Sequence, residues 1–368
     1  MAPDRPAGGD CRGLCTRASG RIRRPARAGG MELHRAGAIG SAARRERMTP
    51  RQCGLQFADA AITISSEGVV AQPAAARELV RQTKGGFTVA QTQLTPQQLA
   101  FFDTFGYLYF PGLLADCADR IIDEFEAIWA AHGGGHHGRE HDGVQRSCIL
   151  PFPDKSVFLS SLLDDPRIHD IAAGICGDDF NYTSGDGNYY AGDTRWHSDG
   201  YNADRILSIK IAFYLDPLTR DSGALRVIPG SHRAGDAYAD VIERDIKESG
   251  KIWGLEGREV PALILETTPG DIVVFNHNLK HAAFGGSERR RMYTMNFSRR
   301  YPEHRLEELR EVLGREARFW IDRIHGEAMI ATAGPERMVH LEQVRANDTH
   351  LGELAREFKK TMKEPSRG

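Results

Sequence analysis

The chain has 368 residues, a formal net charge of −2, 40% hydrophobic and 27% charged residues. These are ordinary globular values, and the length suffices for a core that needs no disulfide or structural metal. No run of eighteen apolar residues occurs, which excludes a membrane-spanning helix.

The near-neutral total conceals an asymmetry. Residues 1–51 carry twelve Arg, no Lys and four acidic residues, a net of +8. The remainder holds 36 basic and 46 acidic residues, a net of −10, which makes the main body a poor nucleic-acid binder. The six cysteines are scattered and no signal-peptide core precedes them, so free thiols in a reducing compartment are expected. The expected location is the cytoplasm, or a mitochondrion or other organelle if the basic arm is a transit peptide.

Residues 1–47 are rich in Arg, Ala and Gly and lack apolar periodicity, so no packed structure is expected there. The arm reads as an upstream extension before Met31 or Met48, a transit peptide, or a segment for an acidic partner. Cys11 and Cys15 alone are a weak metal signal. A protein beginning at Met48 is expected to bind its ligands like the full chain. Parallel calorimetric titrations check this, and a large loss in the short form would contradict it. Residues 48–93 form an ill-defined lead-in, with a strand expected near Ala61–Ser65.

The first well-marked element starts at Thr95, an N-cap followed by Pro96 and, three residues on, Gln98 of a capping box. Leu94 and Leu99 take the staple positions. Leu99, Phe102 and Phe105 predict the buried face, and Gly106 the stop. A strand Tyr107–Phe110 follows, then a helix over about Asp116–Ala131 burying Ile121, Phe125, Ile128 and Trp129. His132–Asp142, HGGGHHGREHD, reads as a mobile Gly/His loop near a cavity mouth, with adventitious zinc binding by His136, His137 and His141 as the lesser alternative.

Between Asn181 and Arg300 the period changes to two. Leu207, Ile209, Ile211, Phe213 and Leu215 alternate with Ser208, Lys210, Ala212 and Tyr214. Turns at Asp221-Ser222-Gly223 and Pro269-Gly270-Asp271 separate strands Leu225–Ile228, Ile272–Phe275 and about Arg291–Ser298. Short strands between Gly/Pro turns indicate an antiparallel sandwich or barrel. From Pro302 the chain turns charged and helical, ending in a polar tail.

Trp196-His197-Ser198-Asp199 carries the chemistry. On a strand, residues two apart face one side, so His197 and Asp199 can point at one atom. His281 lies 84 residues later, just past a strand. Two histidines and a carboxylate from sheet ends suit a facial triad for non-haem Fe(II) with open positions. Against this stands an incidental surface His-Asp pair. Arg289-Arg290-Arg291 follows the distal histidine, and a buried arginine grips a carboxylate bidentately. On strand alternation Arg290 shares the more polar face with Met292, Thr294, Asn296 and Ser298. His277, four before His281, would make a helical ligand pair only if that segment were a helix. His232 is expected to brace a turn, and Trp196 to pack.

These segments together resemble the phytanoyl-CoA dioxygenase family of Fe(II)/2-oxoglutarate oxygenases. The resemblance runs from LTPQQLAFFDTFGYLYFPGLL (Leu94–Leu114) through WHSDG (Trp196–Gly200), DSGALRVIPGSH (Asp221–His232) and PGDIVVFNHNLKH (Pro269–His281) to RRRMYTMNFS (Arg289–Ser298). It implies a double-stranded β-helix, a jelly-roll or cupin-like core with flanking helices, over residues 94–300, with 301–368 as a helical extension and tail. It implies His197, Asp199 and His281 as iron ligands and O2 as co-substrate. It implies 2-oxoglutarate chelating the metal and meeting Arg290 with its far carboxylate. Arg289 or Arg291 takes that part if a loop length differs, because Phe284-Gly285-Gly286 departs from the family pattern. Members often use an earlier Lys or Arg as well, and Arg146 lies in about that region. The implied reaction hydroxylates a small organic substrate with release of succinate and CO2. Halogenation is disfavoured, since a halogenase has a small residue where Asp199 stands. Two other readings are a non-oxidative cupin-type metalloenzyme and a binding protein acting through the basic arm. The substrate and the oligomeric state are not legible.

Overall fold

In the computed structural model, which describes residues 93–368, the first helix forms as its capping residues dictate. Helix α1 (Pro96–Phe105) starts at Thr95, whose hydroxyl accepts from the Gln98 amide while the Gln98 side chain accepts from the Thr95 N–H. Gly106 ends it at φ 81°, in the left-handed region open to glycine. A Cβ at Gly106 would also sit 2.5 Å from Nδ1 of His232, the histidine that braces this helix end. Of the expected buried face, Phe102 is buried but Phe105 is 38% exposed, because the chain reverses at once into the sheet.

The strands are β1 (Tyr107–Phe110), β2 (Ser147–Ile149), β3 (Asn181–Ser184), β4 (Gly187–Tyr190), β5 (Thr194–His197), β6 (Ser208–Tyr214), β7 (Leu225–Val227), β8 (Leu263–Leu265), β9 (Ile272–Asn276), β10 (His281–Ala283) and β11 (Arg290–Ser298). A seven-stranded sheet runs β1-β9-β6-β11-β4-β2, with β3 also on β11. A four-stranded sheet runs β5-β10-β7-β8, and every strand pair is antiparallel. The two sheets give the expected cupin-like β architecture with flanking helices.

Alternation sets what each face does. Ile209, Ile211 and Phe213 of β6, with Tyr293, Met295 and Phe297 of β11, pack outward against helix α2 (Ala118–Ala131), which buries Ile121, Phe125, Ile128 and Trp129. Each such side chain contributes about 1.5–3 kcal/mol by leaving water. Helix α2 starts two residues later than expected, its first turn being preceded by the turn around Asp116. The opposite faces of β6 and β11 look between the sheets. One end of that space is closed by Ala212, Tyr214, Val273, Phe275 and Met292, and the other remains a cavity.

Helices α3 (Val157–Ser161), α4 (Pro166–Cys176), α5 (Ala237–Asp245) and α6 (Ser249–Ile252) fill the connections. Beyond β11 come α7 (Leu306–Gly314), α8 (Glu327–Ala331), α9 (Pro335–Asn347) and α10 (Leu351–Thr361); α7, α9 and α10 carry a cluster of their own around Leu309, Leu313, Val344 and Leu351, while Met329 of α8 joins the main core. The Gly/His segment is a 3-10 turn, His136–Gly138, and not a bare loop. His136 is buried, with ring nitrogens 3.3 Å from the Cys148 carbonyl and 3.0 Å from that of Pro365. His141 bridges Ser147 and the Glu288 carbonyl, so these histidines brace the packing and do not converge on a metal. The readings made for residues 1–92, including the strand near Ala61–Ser65, lie outside the described residues.

Candidate active site

Strand register brings the two separated histidines together. His281 opens β10 directly opposite His197 at the end of β5, and their ring centroids lie 4.2 Å apart. Each Nδ1 is held by a carbonyl, Arg195 O at 2.7 Å for His197 and Leu279 O at 2.9 Å for His281. A carbonyl only accepts, so both Nδ1 atoms carry the proton and both Nε2 lone pairs are free.

Asp199 is not on the strand, contrary to the alternation argument. Strand β5 ends at His197, and the chain turns so that the Asp199 amide donates to the His277 carbonyl at 2.9 Å. The carboxylate still converges: Oδ1 lies 4.0 Å from Nε2 of His197 and 3.9 Å from Nε2 of His281. Among the described residues, this trio is the one set of His, Cys, Asp and Glu whose ligand atoms lie within 4.8 Å of one another. Two free imidazole lone pairs and one carboxylate oxygen, from three separate backbone positions, fit a divalent ion such as Fe(II).

Lys210, which sequence reasoning did not single out, occupies the other carboxylate oxygen, with Nζ 2.8 Å from Oδ2 of Asp199. Its signal was there: it is the cation on the inward face of an otherwise apolar strand. Burial alone would raise the Asp199 pKa, but the Lys210 ammonium beside it holds it well below the carboxylate norm. Burial also lowers His281, to about 3. Protons compete with a metal for Nε2, and a lowered pKa weakens that competition. Mn(II) affinity of the metal-free protein is therefore expected to stay nearly flat as pH falls from about 7.5 to about 5.5, through the ordinary histidine range. Calorimetric titration checks this. A tenfold loss per pH unit below about 6.5 would show an ordinary exposed histidine limiting the site.

The rest of the cavity, about 280 Å³, is lined by both sheets and by the 3-10 segment Arg315–Phe319. On β11, Arg290, Met292, Asn296 and Ser298 face into it. Arg290 is buried, lies over the Tyr190 ring at 5.1 Å and donates to the Gly223 carbonyl at 3.1 Å. Among the described residues it has no carboxylate within 4.0 Å. A Cβ on Gly223 would collide with its guanidinium, so the glycine of the DSG turn makes room for this arginine. The neighbouring arginines sit outside. Arg289 pairs with Glu126 at 2.7 Å, and Arg291 with Asp216 at 2.6 Å and Glu126 at 3.2 Å. Arg146 also lines the cavity, paired with Asp186 at 2.8 Å.

The rival residues have other placements. His277 is in a turn, not a helix; its Nε2 lies 3.2 Å from Asn296 Oδ1 and its Nδ1 3.4 Å from Arg205. Trp196 points away from the site, donating to the Gly257 carbonyl and packing near Phe284.

Residues 102–292, just over half of the chain, match the family model for phytanoyl-CoA dioxygenase (PhyH). The chain belongs to this family and is an Fe(II)- and 2-oxoglutarate-dependent enzyme, with O2 as co-substrate. Similar solved structures include SnoK, the non-heme alpha ketoglutarate dependent carbocyclase from nogalamycin biosynthesis. It is 21% identical, with 58% of this chain and 87% of SnoK covered at a TM-score of 0.46. EctD from S. alaskensis with 2-oxoglutarate and 5-hydroxyectoine is 20% identical over 58% of this chain and 79% of its own, at a TM-score of 0.43. HygX from Streptomyces hygroscopicus with nickel and 2-oxoglutarate is 16% identical over 57% and 88%, at a TM-score of 0.42. No curated protein matches the chain. Among the described residues, no helix is long and apolar enough to cross a membrane.

Proposed function

We propose that this enzyme hydroxylates a C–H bond of a small organic substrate, with His197, Asp199 and His281 holding Fe(II) and Arg290 receiving the far carboxylate of 2-oxoglutarate. The observation that carries the reading is one cavity with a convergent His-Asp-His set and a separate buried arginine lacking a carboxylate partner. When bound, Fe(II) and 2-oxoglutarate supply, with O2, the oxidising power that places one oxygen atom on the substrate and releases succinate and CO2.

The chain's own residues do the positioning. The Arg195 and Leu279 carbonyls fix both imidazoles in the tautomer that presents Nε2. Lys210 occupies Asp199 Oδ2, which leaves Oδ1 as the oxygen facing the histidines. Arg290 offers a rigid two-pronged donor for a carboxylate, shielded from water by its burial. Phe275, Leu225 and Met292 supply apolar wall that shields the reacting carbon from water.

Anaerobic Fe(II) loading followed by O2 and a panel of small molecules tests the reading, with succinate as the readout. Succinate that depends on both Fe(II) and 2-oxoglutarate, together with a product heavier by one oxygen, supports it. Turnover of a panel member without 2-oxoglutarate would favour a non-oxidative metalloenzyme.

A further inference from the structure

The charges lining the cavity do not balance. Of its side chains six are cationic and three are carboxylates, and two of these carboxylates are already taken, Asp186 by Arg146 and Asp199 by Lys210. The third, Glu316, is discouraged from ionising by burial, which lifts its pKa to about 7, and Arg318, two residues on, is the main charge working against that shift. A dication and the dianion of 2-oxoglutarate cancel each other, so loading the site leaves the surplus in place. Arg290 belongs to the site already described. Arg205 and Arg315 remain.

Arg205 is largely buried at the cavity wall, with no carboxylate within 4.0 Å among the described residues and its Nε buried without a partner. Its guanidinium is held, not free. It reaches the Gly200 carbonyl and His277 Nδ1, each at 3.4 Å, and His277 is itself fixed by Asn296. A Cβ on Gly200 would collide with Arg205 Nη1, so the glycine of the WHSDG segment leaves this guanidinium its place. Arg315 lies exposed at the rim and, among the described residues, also has no carboxylate within 4.0 Å. Its charge acts unfavourably on that of Arg205. Asp199 and Glu308, the carboxylates nearest in influence to Arg205, are paired with Lys210 and Arg305. Two like charges facing one cavity, one of them desolvated and pre-positioned, form an anion-receiving pair. Arg315 comes from the 3-10 segment after α7, beyond the residues that match the family model.

We propose that Arg205 and Arg315 bind an anionic group of the substrate, a carboxylate or a phosphate, and so make this an enzyme for small anionic substrates. The inference rests on the oxygenase reading. Arg205 then anchors the substrate at the wall near Asp199, while Arg315, on a segment beyond the family-model match, guards the entrance.

The test uses full-length protein loaded with Fe(II) and saturating 2-oxoglutarate under nitrogen, so that Arg290 is filled. Hexanoate, hexanamide and hexyl phosphate are titrated calorimetrically. Hexanoate or hexyl phosphate should bind at least about tenfold tighter than hexanamide, and the order of the two anions tells carboxylate from phosphate. Arg205→Met should erase most of that preference, while Arg315→Ala, an exposed change with little risk to folding, should reduce it by several-fold. The 2-oxoglutarate affinity of both variants should stay near wild type. Equal affinity for hexanoate, hexyl phosphate and hexanamide in the wild type overturns the inference, with no variant needed. A preference for the anions that survives in Arg315→Ala and in folded Arg205→Met also overturns it. A separate titration of 2-oxoglutarate into the Fe(II)-loaded wild type comes first, and its failure to bind there would defeat the oxygenase reading instead.

Discussion

Replacing Asp199 with alanine is expected to lower Fe(II) affinity by on the order of a hundredfold or more, beyond the range typical of changes in groups that only support a ligand. Succinate formation should fall to background. The change leaves His197 and His281 as a neutral pair that no longer offsets a dication. It also strands Lys210, whose Nζ lies 2.8 Å from the lost carboxylate and whose side chain is 15% exposed. Asp199→Ala should therefore cost about 1–3 kcal/mol in unfolding free energy, less than a fully buried pair because both partners keep some exposure. Asp199→Asn keeps an oxygen for Lys210 and should recover most of the stability while remaining inactive. Urea unfolding beside anaerobic Fe(II) titration separates the two effects. Wild-type turnover in Asp199→Ala would make the His-Asp pair incidental.

Arg290→Ala should weaken 2-oxoglutarate binding by roughly tenfold to several hundredfold while leaving Fe(II) binding near wild type, since a charge-assisted bidentate contact is worth about 1.5–3 kcal/mol and more if the carboxylate is stranded. Arg291→Ala gives the contrast. That arginine ties β11 to Asp216 and Glu126 on the outer face, so its loss should lower stability and spare 2-oxoglutarate affinity. The opposite result, with Arg291→Ala losing 2-oxoglutarate and Arg290→Ala keeping it, would move the anchor by one residue.

Much of this was written locally in the sequence. Thr95, Pro96 and Gln98 fix a helix start by hydrogen bonds within four residues, and the structure repeats them. Alternation from Leu207 to Leu215 separates the helix-packed face from the cavity face, and the same alternation along β11 sets Arg290 apart from its two neighbours. What failed depended on distant partners. Phe105 sits at helical spacing, but the turn at Gly106 leaves it exposed. Asp199 reaches the histidines by a bend after β5, tied to His277 nearly eighty residues away, which no period-two pattern contains. The Gly/His segment is packed by Pro365, at the far end of the sequence. Arg205 and Arg315 carry no sequence signal at all, since they come to one cavity only through the fold of the segment after β11.

His197, Asp199 and His281 are proposed to make one Fe(II) site that 2-oxoglutarate joins. Anaerobic equilibrium dialysis with Fe(II), followed by calorimetric titration of 2-oxoglutarate, tests it most directly. One Fe(II) per wild-type chain is expected, with 2-oxoglutarate bound tightly only when the metal is present and both lost together in Asp199→Ala. Fe(II) bound equally by wild type and Asp199→Ala, or 2-oxoglutarate affinity indifferent to the metal, would contradict it.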